Sequence, residues 1–193
     1  MDFMNTQEQQ VIIFVGRSGC GKGTQAELLQ KNLSGKTLYV GTGAYFRSVI
    51  ASENLTGRLY KDAYTRGELA PDFLVTGFLA NMFMNQYTGV ENLIFDGVAR
   101  LPQEAVALTE MFDFYQIKKI KILYIDVSPE WTLDKLMKRG RADDKDTAIK
   151  TKWFHEQVVP VLEYFKKNPQ YEFITINGEQ SVADVHQEII SKL

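Results

Sequence analysis

The sequence predicts an α/β fold, a five-stranded parallel sheet covered by helices on both faces. Three observations carry that prediction. Apolar runs of strand length alternate with helical periodicities along the chain. The first run, Val11 to Val15, leads into Gly-Arg-Ser-Gly-Cys-Gly-Lys-Gly-Thr-Gln at 16–25, and then into a helical pattern carried by Ala26, Leu28, Leu29 and Leu33. Glycine, aspartate and arginine recur where later strands should end, the edge at which parallel sheets place their ligands.

Taken in order, strands are expected at Val11–Val15, Thr37–Val40, Asn92–Phe95, Lys119–Val127 and Tyr171–Ile176. Helices are expected at Gly23–Leu33, Ala44–Ser52, Gly57–Arg66, Pro71–Tyr87, Pro102–Phe114, Pro129–Lys138, Thr147–Lys166 and Ser181–Lys192. Pro71, Pro102 and Pro129 stand near helix starts, where a missing N–H does no harm. Two places interrupt the alternation: a helical stretch at 44–88 between the second and third strands, and a charged stretch at 139–146 between two helices. No internal repeat or low-complexity linker is present, and 193 residues, 45% of them hydrophobic, fit one globular domain.

Composition excludes several classes. With 22 basic against 24 acidic residues there is no polyanion-binding coat, so no nucleic-acid partner is expected. No apolar run is long enough to span a bilayer, and the first ten residues lack the basic start and apolar stretch of a signal peptide. The single cysteine, Cys20, excludes an intramolecular disulfide. The expectation is a soluble cytoplasmic protein with no membrane partner.

Gly16, Gly21 and Lys22 match phosphate-loop spacing, and the flanking strand and helix supply the context that the motif requires. Glycines let the backbone curl until successive N–H groups point inward, and the helix adds the positive end of its dipole. Lys22 then provides a point charge for the outer phosphates. Gly23 replaces the usual hydroxyl after the lysine, with Thr24 one place later. Asp96 closes the run Asn-Leu-Ile-Phe-Asp before Gly97, a placement that suits magnesium reached through water. Arg47 and Arg100 fall just beyond the second and third strands, where two guanidinium forks suit a second phosphate. Arg139 and Arg141 flank Gly140 in a turn able to close over a transferring phosphoryl group. Cys20 reads as small filler in the loop, and His155 and His186 as structural, since neither has a partner at metal spacing.

Together these residues resemble the adenylate kinases and their nucleoside-monophosphate-kinase relatives over nearly the whole chain. Gly-Lys-Gly-Thr-Gln at 21–25 resembles that family's variant of the phosphate loop. Val-Gly-Thr-Gly at 40–43 leading to Arg47, Arg-Gly-Glu-Leu-Ala-Pro-Asp at 66–72, and Asp-Gly-Val-Ala-Arg at 96–100 are similar to its acceptor-side segments. Lys-Arg-Gly at 138–140, then Arg141 and Asp143-Asp144, resembles a very shortened lid, and Ile176-Asn177-Gly178 the region touching the ATP base.

The resemblance implies a core at 1–40, 89–138 and 147–193, a monophosphate-binding insertion at about 41–88 and a short lid at about 139–146. It implies transfer of the γ-phosphoryl of Mg-ATP to AMP, in line and without a phosphoenzyme, by a monomer. Lys22, Arg100, Arg139, Arg141 and Lys152 would be catalytic. Gly19, Cys20, Gly21, Lys22, Gly23, Thr24, Lys135, Arg139 and Gln180 would contact ATP. Thr42, Gly43, Arg47, Glu68, Leu69, Ala70, Gly97, Arg100 and Gln103 would contact AMP, and Asp96 would reach Mg2+ through water.

Several positions depart from the family pattern. Ser18 and Ala99 replace prolines, Ala44 replaces an aspartate, and Lys135 and Lys152 replace arginines, keeping the charge without the flat fork. Gln103 lies one residue closer to Arg100 than the family's adenine-reading glutamine, so Glu104 is the other candidate for that place. A kinase of another monophosphate (UMP or CMP), or an ATP-binding module with impaired transfer, remain the alternatives, and Thr42 favours AMP.

Overall fold

The computed structural model describes residues 9–140, 144 and 147–193. Five parallel strands form one sheet in the order β2-β3-β1-β4-β5: β1 Val11–Gly16, β2 Thr37–Gly41, β3 Asn92–Asp96, β4 Ile120–Asp126 and β5 Tyr171–Asn177. All five strands and the expected helices are present, with ends shifted by a residue or two. The helices are α1 Lys22–Asn32, α2 Thr42–Ala51, α3 Leu55–Thr65, α4 Asp72–Gln86, α5 Pro102–Phe114, α6 Pro129–Arg139, α7 Thr147–Trp153, α8 Val159–Lys167 and α9 Val182–Lys192.

One difference is substantive. The helix expected at Thr147–Lys166 is divided by a π-helical segment, Phe154–Val158, that joins α7 to α8. A π segment accommodates a local change in helical winding. It lies directly after Trp153, which lines the functional cleft described below.

Both faces of the sheet are buried, as expected when crossover helices cover a parallel sheet. Along β1 the side chains alternate between two cores: Val11, Ile13 and Val15 pack with Phe83, Phe95 and Phe112, whereas Ile12 and Phe14 pack with Leu29, Leu123 and Ile189. The central strand is therefore apolar at every position, and Gly16 closes it. Because β1 lies between β3 and β4, chain connections leave it toward opposite sides of the sheet, and a crevice opens beyond its carboxyl end.

Local signals fix the helix ends around that crevice. Ser128 caps α6 by accepting from Trp131 N at 3.2 Å, Pro129 follows, and Gly140 ends the helix in the left-handed conformation. Asn54 and Ser181 cap α3 and α9. α1 has no capping side chain and no acidic residue in its first turn, so its positive end faces the crevice uncompensated. No helix among the described residues is long and apolar enough to cross a membrane.

Candidate active site

The loop after β1 is shaped by glycines at positive φ: Gly16 at 150°, Gly19 at 88° and Gly21 at 97°. At Gly16 the requirement is also steric, because a Cβ there would sit 2.6 Å from the Ile125 carbonyl oxygen and 2.8 Å from Cys20 Sγ. Lys22 folds back over this loop and donates to the carbonyls of Gly16 and Arg17, each at 2.7 Å. Its ammonium is thus held against the loop backbone, and a bound phosphate would replace carbonyls as its partner.

The glycine after Lys22 also has a steric reason. A Cβ on Gly23 would lie 3.2 Å from Asp96 Oδ2, so the end of β3 rests on the start of α1. Tyr39 donates to the same oxygen at 3.1 Å. Burial, followed by the neighbouring Asp96 charge, pushes the Tyr39 phenol well above its ordinary value, so it remains a donor. Asp96 is thereby oriented toward the loop with its other oxygen available.

Beyond β2 and β3, two further glycines make room for two arginines. A Cβ at Gly43 would meet Arg47 Nη1 at 3.2 Å, and one at Gly97 would meet Arg100 Nη2 at 2.7 Å. Thr42, buried, ties the ends of β2 and β3 together by donating from Oγ1 to the Gly97 carbonyl at 2.7 Å. Ala99, standing where the resembling family has proline, takes φ 51°. Proline is held near about −65° and cannot adopt that conformation, so this loop reaches Arg100 by a different backbone path.

These elements enclose a cleft of about 480 Å³ beyond the strand ends, with a second pocket beside it. The two cavities share Ser18, Gly43, Arg47, Gly97, Arg100, Arg139 and Trp153, so three arginines stand where they meet. The larger is lined by Gly19 to Thr24, Asp96, Trp131, Lys135 and Gln180. The smaller is lined by Tyr60, Tyr64, Glu68, Leu69, Ala70, Glu104 and Lys150.

A family model for adenylate kinase matches residues 14–170. The chain belongs to the adenylate kinase family. Adenylate kinases of Prochlorococcus marinus and Mycolicibacterium smegmatis are 30% and 32% identical to it over 184 residues, spanning 94% of this chain and 97% and 98% of theirs. An adenylate kinase of Parabacteroides distasonis is 30% identical over 185 residues, 93% of this chain and 94% of its own length.

Most of the residues expected from the adenylate kinase pattern line one cavity or the other; two do not, and one lies outside the described residues. Gln103 is exposed and lines neither; Glu104, one residue on, is buried and lines the smaller pocket. Lys152 is likewise exposed and lines neither. The inward lysine of α7 is Lys150, because helical spacing turns residues two apart toward different faces. Arg141 lies outside the described residues.

Lys150 belongs to an ionic cluster that joins α6 to α7 through Asp144. Asp144 accepts from Arg139 through both oxygens, Nε to Oδ2 at 2.7 Å and Nη2 to Oδ1 at 2.5 Å, and from Lys150 Nζ at 2.6 Å. The Lys150 and Asp144 side chains are only 6% and 3% exposed. Burial raises the Asp144 pKa, but the hydrogen bonds and charges of Arg139 and Lys150 outweigh it and hold the carboxyl at about 2. Ser18 Oγ stands 3.5 Å from Lys150 Nζ, bringing this cluster against the phosphate loop.

Trp131 and Trp153 were not among the expected site residues. Lys135 Nζ lies 5.1 Å from the Trp131 ring centroid, and together they form an aromatic and cationic wall of the larger cleft. Trp153 donates from Nε1 to the Gly67 carbonyl at 3.1 Å and lies under the Arg100 guanidinium, 5.9 Å from ring centroid to Cζ. In the sequence each tryptophan stands within an expected helix, and nothing local marks it as facing the cleft. Gln180 lines the larger cleft, its amide donating to Asn177 O and Glu188 Oε2.

Proposed function

We propose that the chain transfers the γ-phosphoryl of Mg-ATP to AMP, giving two ADP, with ATP in the larger cleft and AMP in the smaller pocket. The observation that carries this reading is the junction: Arg47, Arg100 and Arg139 line both cavities beside a phosphate loop that needs no further partner to curl. Two separate binding cavities that meet at three cations suit two anionic substrates exchanging a phosphoryl group. The adenylate kinase relatives support the same reaction.

In this reading the loop N–H groups and the positive end of α1 take the β- and γ-phosphates, and Lys22 follows the moving group. Arg47 and Arg100 fix the acceptor phosphate in line, each guanidinium braced over a glycine. Arg139 and Lys150, with Arg141, bring positive charge to the equatorial oxygens. Trp131 and Lys135, with Gln180, form the surface for the ATP base. No phosphoenzyme is needed, because positioning and charge supply the catalysis.

The donor set also fits magnesium. Among the described residues no group of three or more His, Cys, Asp or Glu is assembled. Of the two carboxylates that line the cleft, Glu27 and Asp96, Asp96 is the one set against the loop at Gly23, and magnesium at such sites is held mostly by substrate phosphates and water. Asp96 would hold Mg2+ through water, and the ion would supply charge neutralisation across the β- and γ-oxygens.

The reading takes residues 41–88 as the monophosphate-binding insertion, 139–146 (in part outside the described residues) as the short lid, and the rest as the core. It also takes the protein to be a cytoplasmic monomer, in keeping with a lone, buried cysteine. The test is ADP formation from Mg-ATP with AMP, UMP or CMP as acceptor. AMP should give the highest kcat/KM; no ADP from any acceptor would sink the transfer reading.

A further inference from the structure

Arg100 is held differently from Arg139 and Lys150, which share Asp144. Its backbone N–H donates to Glu104, but its side chain has no hydrogen bond or ion pair among the described residues. Two surfaces confine the guanidinium instead. A Cβ at Gly97 would sit 2.7 Å from Nη2, and the Trp153 ring centroid lies 5.9 Å from Cζ, inside the ~6 Å reach of a cation–π contact. An aromatic face attracts a guanidinium without occupying its N–H donors. Arg100 is thus oriented with its fork free for phosphate, whereas a carboxylate partner would first have to be displaced.

Trp153 is itself fixed on two sides. Its Nε1–H donates to the Gly67 carbonyl at 3.1 Å; Gly67 is buried, takes φ 78°, and begins the stretch 67–70 that lines the smaller pocket. The π-helical segment that follows Trp153 is clamped to the phosphate loop. Arg17 Cζ lies 4.0 Å from the Phe154 ring centroid, and Arg17 Nη2 donates to His155 Nε2 at 3.2 Å. Trp153 therefore stands between the phosphate loop, the Arg100 loop and the wall of the smaller pocket, and it lines both cavities.

We propose that Trp153 is a positioning residue for the acceptor: its ring face sets the Arg100 guanidinium, and its Nε1–H holds the wall at 67–70 at the matching distance. This inference rests on the smaller pocket being the monophosphate site. Trp153 moves no proton and acts only through Arg100 and Gly67. Its loss should fall on the acceptor, in affinity for AMP and, through a misplaced in-line phosphate, in kcat. ATP should scarcely register the change, because Lys22 and the loop glycines are placed without Trp153.

The experiment measures AMP and ATP affinity by calorimetry, together with kcat, in the intact chain, Trp153→Phe and Trp153→Leu. Phenylalanine keeps a ring face and loses the donor to Gly67; leucine loses both. Phenylalanine should weaken AMP roughly two- to tenfold, the scale of one neutral hydrogen bond. Leucine should weaken it by roughly a further two- to fivefold, the scale of an exposed cation–π contact. ATP should stay within about twofold. In an Arg100→Ala background the step from phenylalanine to leucine should cost AMP nothing more, because no guanidinium remains for the ring to hold. Equal losses for AMP and ATP, unchanged affinities with only a lower melting temperature, or a full further loss in the Arg100→Ala background would overturn the proposal and leave Trp153 as a packing residue. If neither variant folds, Trp131→Phe leaves Trp153 as the only tryptophan, and saturating AMP should change its emission; constant emission overturns the proposal. Absence of AMP binding by the intact chain would instead defeat the monophosphate reading.

Discussion

The phosphate-loop half of the cleft, proposed for ATP, is shaped by backbone, whereas the half proposed for the acceptor is made of side chains that hold one another. On the side proposed for ATP, the cleft is shaped by the end of α1 and by Gly16, Gly19 and Gly21, whose φ values are positive. On the side proposed for the acceptor, Arg139 and Lys150 share Asp144, Glu104 holds two backbone amides, and Trp153 spans to Gly67. A backbone site is organised before the ligand arrives. A site of paired charges must exchange partners when phosphate enters, so its geometry and stability depend on the same ion pairs.

The largest expected effect lies on the donor side. Lys22→Ala should lower turnover by roughly 10²–10³-fold or more, since the lost charge acts mainly on the transition state. Its folded stability should change little, because the two carbonyls it releases lie on a half-open loop that water can reach. Turnover and thermal melting measured on one preparation check both halves; near-normal turnover would remove the donor side from catalysis. Arg100→Ala comes next. It should weaken AMP by roughly 2–5 kcal/mol, the cost of removing a desolvated charged contact, and leave ATP nearly unaffected. Calorimetric titration with each nucleotide separates the two, and equal losses would place Arg100 outside the acceptor site.

That same division decides what could be read from the sequence. The sheet, the helix order and the donor loop were legible because periodicity and positive-φ glycines leave local marks. Gly43 and Gly97 were legible as motif residues, although their reason, space for the Arg47 and Arg100 guanidiniums, is tertiary. The lid was harder. Counting forward along α7 selects Lys152, but the facing of a helix is set by what it packs against, and here Asp144 and Ser18 draw Lys150 inward. The choice between Gln103 and Glu104 has the same character: one residue of shift at the start of α5 exchanges an exposed amide for a buried carboxylate. Trp131 and Trp153 left no mark, because an aromatic in an amphipathic helix faces core or cleft with equal ease.

On the lid side, stability and activity should fail together. Lys150→Ala removes one partner of a buried carboxylate and should cost about 2–3 kcal/mol, below the usual range for a broken buried pair because Arg139 still holds Asp144. Turnover should fall with it. The pH dependence follows from the Asp144 carboxyl, lowered from its ordinary 3.8 to about 2. A depressed carboxylate stabilises the fold above its unfolded pKa and ceases to do so as pH falls through its folded one. The contribution of the cluster should therefore be constant from neutral pH to about 4 and disappear between about 4 and 2. Asp144→Asn should lose that acid-dependent component in denaturant melts; an identical acid profile in the variant would mean that the cluster contributes nothing to the fold.

The smallest effect belongs two residues further along the same helix. Lys152 carries the same charge as Lys150 but is exposed and borders neither cavity, so water already solvates it. A solvated charge at that distance acts on the phosphates only through screened long-range attraction. Lys152→Ala should change stability by no more than about 0.5 kcal/mol and leave KM for both nucleotides within about twofold. Any residual effect should shrink as salt is added, because it would arise from the general field rather than from a contact. The decisive comparison is the pair of arginine variants. Lys150→Arg offers a second fork to Asp144 and the phosphates and should alter turnover, whereas Lys152→Arg should be silent. A salt-independent loss of turnover in Lys152→Ala would reverse the assignment, requiring α7 to rotate during closure so that Lys152 replaces Lys150 at the phosphates.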